Sequence, residues 1–276
     1  GNNVQKGSKM VQIISCIAFK GGVSKTSSSM MIGYVLAQRG FKTLLVDLDP
    51  QANLTGLALR TKLANGGEDT EIDSSLMKAV QDSDLTEAEI EIMPNLSLIG
   101  SSMDFSLYPD YMERQFNTQK KRAQYFSKLL EPVASKYDYV VIDTPPSLSL
   151  YLSSALYASD WALLLMKTDP YSLEGLTNLL DYIQKTVIEG YGAPKLEALG
   201  ILPVIMEKDN ALDKGILDMA QEKYGKDMIF TPVPYLARLK RFAATGVTDH
   251  GYFDKRPNKI YGQIVDEILK RVNADE

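Results

Sequence analysis

The chain has one cysteine, Cys16, and one histidine, His250, among 276 residues. A single thiol cannot close an intrachain disulfide and cannot by itself supply a metal or iron–sulfur site. Cys16 lies inside an apolar run and reads as a small buried hydrophobe. One histidine leaves a His-based metal site or triad with nothing else to draw on, so His250 reads as a loop residue. Long hydrophobic runs are also lacking. The longest uninterrupted one spans 161–166, far below the roughly 20 residues of a membrane-spanning helix. Residues 1–10, GNNVQKGSKM, lack the apolar core of a signal peptide. A soluble, cytoplasmic protein is expected. Positive charge is not in excess: 30 Lys and Arg face 35 Asp and Glu, a net charge of −5. Any nucleic-acid surface would therefore be a local patch. No internal repeat, low-complexity tract or linker stands out. The length suits one large α/β unit over 11–276, with 1–10 as a flexible N-terminal extension.

What is present is concentrated in 11–29, VQIISCIAFKGGVSKTSSS. An apolar, β-branched run meets a tight Lys20-Gly21-Gly22-Val23-Ser24-Lys25-Thr26 loop, and a small-residue helix start follows. This is the layout of a phosphate site. Glycines let backbone amides converge, and a helix N-terminus adds partial positive charge. The ordinary G-x-x-x-x-G-K-[ST] template does not fit, because its two glycine positions fall on Phe19 and Ser24. The pattern K-G-G-x-x-K-[ST] does fit, with a second lysine opening the loop.

Apolar strands alternate with helical patterns along the rest of the chain, which predicts a doubly wound, mostly parallel sheet flanked by helices. Helices are expected at 26–39 (closed by Gly40), 74–81, 86–92, 111–130, 149–158, 172–188, 212–224, 235–244 and 258–272. Strands are expected at 43–48, 96–100, 137–143, 161–166, 199–206 and 228–231, with 61–70 as a surface loop. Two strands end in acids: TLLVDLDPQ, with Asp47 and Asp49, and YVVIDTPP, with Asp143. Strand carboxyl ends are where open α/β sheets place ligands.

A bound nucleotide explains each residue type. The amides of Gly22 to Thr26 wrap a β-phosphate, Lys25 meets the β/γ oxygens, Thr26 offers a hydroxyl to Mg²⁺, and Asp143 holds the Mg²⁺ shell through water. Ser27 and Ser28 either contact the α-phosphate or satisfy the helix start. Of the two aspartates at the carboxyl end of the 43–48 strand, Asp47 reads more readily as a strand-end cap, since only one of the pair can face the site.

With these segments the chain resembles the ParA/MinD ATPases, and within them the small ParA/Soj-type partition proteins. Loop 20–26 looks like their deviant Walker A motif, Asp49 in VDLDPQ like Walker A′, and Asp143 like Walker B. DTPPSLSLYLSSALYASDWALLLMKTDPYSLEGL, LGILPVIMEKDNALDK and FTPVPYLARLKRFAATG match later blocks, so the resemblance covers most of 11–246. It implies a P-loop NTPase of the deviant Walker A (SIMIBI) type that uses ATP and Mg²⁺. It also implies that Lys20 reaches the partner subunit's nucleotide in an ATP-sandwich homodimer, that Asp49 positions the attacking water, and that Pro232, Val233 and Pro234 flank the adenine. One departure is Ser24, which replaces the usual glycine. If that position needs φ > 0, serine costs on the order of 1 kcal/mol.

The resemblance implies an ATP dimer that binds nonspecific DNA, associates with the nucleoid and is released when a ParB-like partner stimulates a weak ATPase. Residues 231–260 hold six basic and two acidic side chains, a local balance of +4. Arg238, Lys240 and Arg241 are the DNA-binding candidates, with the 120–122 cluster second. Two further departures point to other DNA contacts than the family's: Glu207-Lys208-Asp209 after the 199–206 strand, and Tyr235 where arginine is common. There is no room before residue 11 for a helix-turn-helix. The alternative is a MinD-like or other cargo-positioning ATPase acting on a membrane or protein assembly. The 258–272 helix argues against lipid, because it carries Asp266 and Glu267 and no Phe or Trp. An iron-protein relative would need more cysteines than Cys16, and a tyrosine-kinase relative would need tyrosines beyond Tyr261.

Overall fold

The computed structural model describes residues 10–19, 23–72, 75–207 and 210–274. Its strands are β1 (Gln12–Ala18), β2 (Thr43–Asp47), β3 (Glu89–Met93), β4 (Leu96–Ile99), β5 (Tyr139–Asp143), β6 (Trp161–Lys167), β7 (Glu197–Met206) and β8 (Val233–Pro234). They form one sheet in the order β3-β4-β2-β5-β1-β6-β7-β8, parallel throughout except for β3. The doubly wound sheet expected from the strand–helix alternation is present.

Helices cover both faces. On one lie α1 (Val23–Gln38), α2 (Asn53–Ala64), α9 (Ala237–Thr245) and α10 (Lys255–Val272). On the other lie α3 (Leu76–Gln81), α4 (Tyr108–Gln115), α5 (Gln119–Ala134), α6 (Leu150–Ala158), α7 (Ser172–Tyr182) and α8 (Ala211–Tyr224). Strand residues alternate between the two layers. Ile14, Leu45, Val141 and Leu163 join the first core, while Ile13, Leu44 and Val140 join the second. Burial on both faces is why these strands read as continuous apolar runs.

Several expectations need correction. Residues 86–92 are not helical. Glu89–Met93 pairs antiparallel to β4, and its Ile-Glu alternation follows the pleat. The expected 111–130 helix is two helices, separated where Phe116 turns extended and the Thr118 side chain accepts the Lys121 amide at 3.2 Å. The first residues of the expected 61–70 loop complete α2, whose end is tied by Asn65 Nδ2 donating to the Thr61 and Val247 carbonyls. After Tyr182 the helix widens into a π-helix, Ile183–Gly190. In place of a strand at 228–231 there is a 3₁₀ turn, Lys226–Met228, and a lone bridge from Ile229 to Ile201; β8 comes later.

The parallel register fixes the site. In β1·β5, Cys16 stands opposite Asp143; in β2·β5, Asp47 stands opposite Asp143. Both aspartates thus share the carboxyl edge, beside the β1–α1 connection.

Candidate functional site

Three groups meet at the end of β5. Lys25 Nζ donates to Asp143 Oδ1, and Thr26 Oγ1 donates to Asp143 Oδ2 at 3.2 Å. Lys25 and Asp143 are 5% and 1% exposed, so the ion pair is buried. Ser29 Oγ donates to the Lys25 carbonyl at 3.0 Å and lies 3.4 Å from Asp143 Oδ1. The α1 helix carries no acidic residue in its first turn, which leaves its positive end available to an anion. Cys16, one strand over, is fully buried, and burial pushes its thiol up to about 12. It is an inert core residue, as the lone thiol implied.

Lys20, Gly21 and Gly22 lie outside the described residues, and of Val23 and Ser24 only the backbone is described. Both belong to α1. Ser24 is therefore helical, and the strain expected of a serine at φ > 0 does not arise. The two hydroxyls after Thr26 differ. Ser28 is committed to Tyr261 Oη at 2.7 Å, which ties α1 to α10, while Ser27 is buried beside the Lys25–Thr26 pair in sequence.

The aspartates of β2 divide as the strand pleat requires. Asp47 is fully buried and accepts from the Asp49 amide (3.0 Å), the Thr55 amide (2.9 Å) and Thr55 Oγ1 (2.7 Å). Burial, followed by the like charge of Asp143, raises its pKa to about 7 against those hydrogen bonds. It is an internal brace between β2 and α2. Asp49 is half-buried, and its Oδ1 accepts only the Gln51 amide, at 2.9 Å, among its described side-chain hydrogen bonds. Ala52, just after it, sits at φ 58, in the left-handed region that is unusual for alanine. Sequence reasoning missed two members of this site. Thr55 positions Asp47 and, through the Ser101 amide at 2.9 Å, reaches β4's end. Thr144 follows Asp143; it is 1% exposed, and its hydroxyl has no partner among the described residues. The signal for Thr144 was its place in VVIDTPP; for Thr55 there was none.

The donor set fits a hard cation. Asp143 and Thr26 offer oxygens about a hydrogen bond apart, and the residue after Asp143, Thr144, carries a buried hydroxyl without a partner among the described residues. No cluster of three or more His, Cys, Asp or Glu with metal-binding geometry occurs among the described residues. An ion here would take most of its shell from water and phosphate, as Mg²⁺ prefers. Farther along the edge, β8 pairs Val233 with Val204, and Val204 lines a small cavity that also touches Lys25. Pro232 and Pro234 are half-buried, whereas Val233 is 3% exposed and part of the core.

A second feature lies between α9 and the start of α10. An open cleft of about 740 Å³ is lined by Arg238, Arg241, Lys255, Arg256 and Lys259 together with three aromatic rings. Arg238 is not a free charge, because its Nε donates to Asp254 Oδ1 at 2.7 Å. Lys240 is exposed but outside this lining, since residues two apart on a helix do not share a face. The expected trio is thus split, and the first turns of α10 supply the remaining cations. In the other basic cluster, Arg122 Nε is held by the Phe116 carbonyl at 2.9 Å.

Comparison with known proteins agrees with this geometry. The AAA domain family matches residues 11–194. The sporulation initiation inhibitor protein Soj of Bacillus subtilis is 30% identical, over 86% of this chain and 89% of that protein. The chain belongs to the ParA/Soj family. The chromosome-partitioning ATPase Soj of Treponema pallidum is 31% identical over 91% of this chain and 94% of its own length. Among solved structures, apo McdA from Cyanothece superposes with a TM-score of 0.80 at 20% identity, covering 95% of this chain and all of that one. The fold is thus that of the P-loop NTPases of this family, with Lys25, Thr26 and Asp143 at the carboxyl edge of its sheet.

Proposed function

We propose that the chain is an ATPase that partitions DNA or a comparable cargo, with 11–276 acting as one unit. One observation carries the reading: Lys25 and Thr26 converge on Asp143 at the carboxyl edge of the sheet, at the start of a helix with no acidic residue in its first turn. In this reading Lys25 meets the β- and γ-phosphates, while Thr26 and, through water, Asp143 hold Mg²⁺, which neutralises the charge that develops on the leaving phosphate. The amides of Gly22 to Thr26, the loop glycine Gly21 and the Ser27 hydroxyl hold the remaining phosphate oxygens, and Pro232 to Pro234 flank the base. Asp49, free of the structural bonds that occupy Asp47, orients the attacking water. Lys20 reaches the nucleotide of a second copy and makes a homodimer.

The output is duplex DNA, bound nonspecifically by the basic cleft at Arg238, Arg241 and the start of α10, with Lys240 at its margin. A ParB-like partner speeds hydrolysis and release, and the protein works in the cytoplasm on the nucleoid. The relatives named as partitioning proteins support this over a membrane-bound switch. So does α10, whose apolar residues Tyr261, Ile264, Val265 and Ile268 are already buried against the core. Among the described residues no helix is long and apolar enough to cross a membrane.

The test is binding of the full chain to random duplex DNA with ATP, ADP or no nucleotide at two salt concentrations. Binding that needs ATP and falls steeply with salt is the expected result. Asp49→Ala should hold DNA with ATP while turnover drops by roughly 100-fold. Nucleotide-independent binding, or normal turnover in that variant, would overturn the assignment.

A further inference from the structure

The basic cleft carries more than charge. Tyr252 and Phe253, at its rim, are 78% and 70% exposed. Their rings meet edge to face, with centroids 5.3 Å apart and planes at 83°. They are not a loose end. The turn that bears them is tied down by Asp254, whose carboxylate accepts from Thr248 Oγ1 at 2.6 Å, Arg238 Nε at 2.7 Å and the His250 amide at 3.2 Å. A buried carboxylate thus holds two large rings out in water, in the cleft they share with Arg241, Lys255 and Arg256.

Phosphate binding needs cations and has no use for exposed rings. A duplex stacks its base faces on one another and offers only its backbone and groove edges. An unpaired strand presents both a charged backbone and free base faces, and basic grooves with projecting aromatic side chains are how proteins meet that combination. We propose that this cleft binds single-stranded DNA as well as duplex, with Tyr252 and Phe253 stacking on unpaired bases while Arg241, Lys255 and Arg256 hold the phosphates. The inference rests on the cleft being the DNA surface and adds unpaired strands to the duplex that the same cations hold.

The experiment measures anisotropy of labelled oligothymidylate and of random duplex, each of about 20 nucleotides or base pairs, with the full chain and ATP–Mg²⁺. The proteins are the unaltered chain, the Tyr252→Ala/Phe253→Ala double variant and the Tyr252→Phe variant. Two lost rings should weaken oligothymidylate binding by about tenfold or more. Duplex binding should stay within about twofold, and Tyr252→Phe should bind as the unaltered chain does. Equal losses on both probes, or no loss on oligothymidylate, would overturn the proposal. If the unaltered chain binds duplex but not oligothymidylate, only this inference falls. If it binds oligothymidylate alone, the duplex reading falls and this one stands; if it binds neither, both fall. Sedimentation of the double variant checks the competing occupant: a lost dimer means that the rings meet a second copy, against the proposal. Should that variant fail to fold, photocrosslinking of bromouracil-substituted single strands to the unaltered chain decides. Adducts on Tyr252 or Phe253 support the proposal, and adducts elsewhere refute it.

Discussion

Asp254 illustrates how one carboxylate can fix the placement of several charges. Burial works to raise its pKa, but hydrogen bonds from Thr248, Arg238, His250 and Gly251 outweigh it and leave the group below its ordinary value of 3.8. A depressed carboxylate contributes stability that is whole above the ordinary pKa and is lost as pH falls below it, through the folded value. Asp254→Asn should therefore lower stability at neutral pH by about 1–3 kcal/mol. It should also flatten the loss that the unaltered chain shows on acidification below about pH 4. Urea midpoints at neutral pH and through the acid range measure both, and parallel acid curves would refute the role. At this scale the sequence was legible in bringing motif residues together, as Lys25, Thr26 and Asp143 meet at one strand end. It was not legible where the role depends on a tertiary partner. Nothing in the local sequence says that Arg238 is spent on Asp254, that Ser28 answers Tyr261, or that Thr55 holds Asp47.

Among the elements, β7 and α10 depend on a single glycine. Gly200 sits at φ +154, where β7 shifts register against β6, and a Cβ there would lie 2.0 Å from Arg271 Nη1 and 2.7 Å from the Met228 carbonyl. Arg271 uses that space to cross the Phe230 ring at 3.7 Å and to donate to the Leu199 carbonyl at 3.0 Å. Gly200→Ala should cost about 2–4 kcal/mol, through backbone strain and the displaced guanidinium. Gly215→Ala, in α8 with open space around it, should instead stabilise by about 0.5–1 kcal/mol. Thermal or urea melts of the two variants should move in opposite directions; a shared direction would refute the account. The buried strands were easy to read because their apolar runs are long and bounded. The edge strand β3 was not, because TEAEIEI is rich in helix formers and its pairing with β4 decides. The α2 helix escaped notice because Gly56 and the threonines weaken its local signal, and burial of Leu54, Leu57 and Ala58 supplies the stability.

For the molecule as a whole the open issue is how many copies make one working site. A nucleoside triphosphate brings about four negative charges. Within one chain the described cation of the proposed site is Lys25, and it already faces a buried carboxylate. Mg²⁺ and one half-neutralised lysine leave net negative charge that grows toward the transition state, where a further positive group counts most. In the proposed reading Lys20 supplies that group from the opposite subunit, which would link nucleotide state to assembly. Lys20→Ala should then still bind ATP but no longer dimerise with it, and turnover should fall by at least about tenfold. Lys25→Ala should lose nucleotide binding itself. Sedimentation with and without ATP, alongside equilibrium nucleotide binding, separates the two. A Lys20→Ala chain that still pairs on ATP would place the cross-subunit cation elsewhere and remove the link between this loop and the switch.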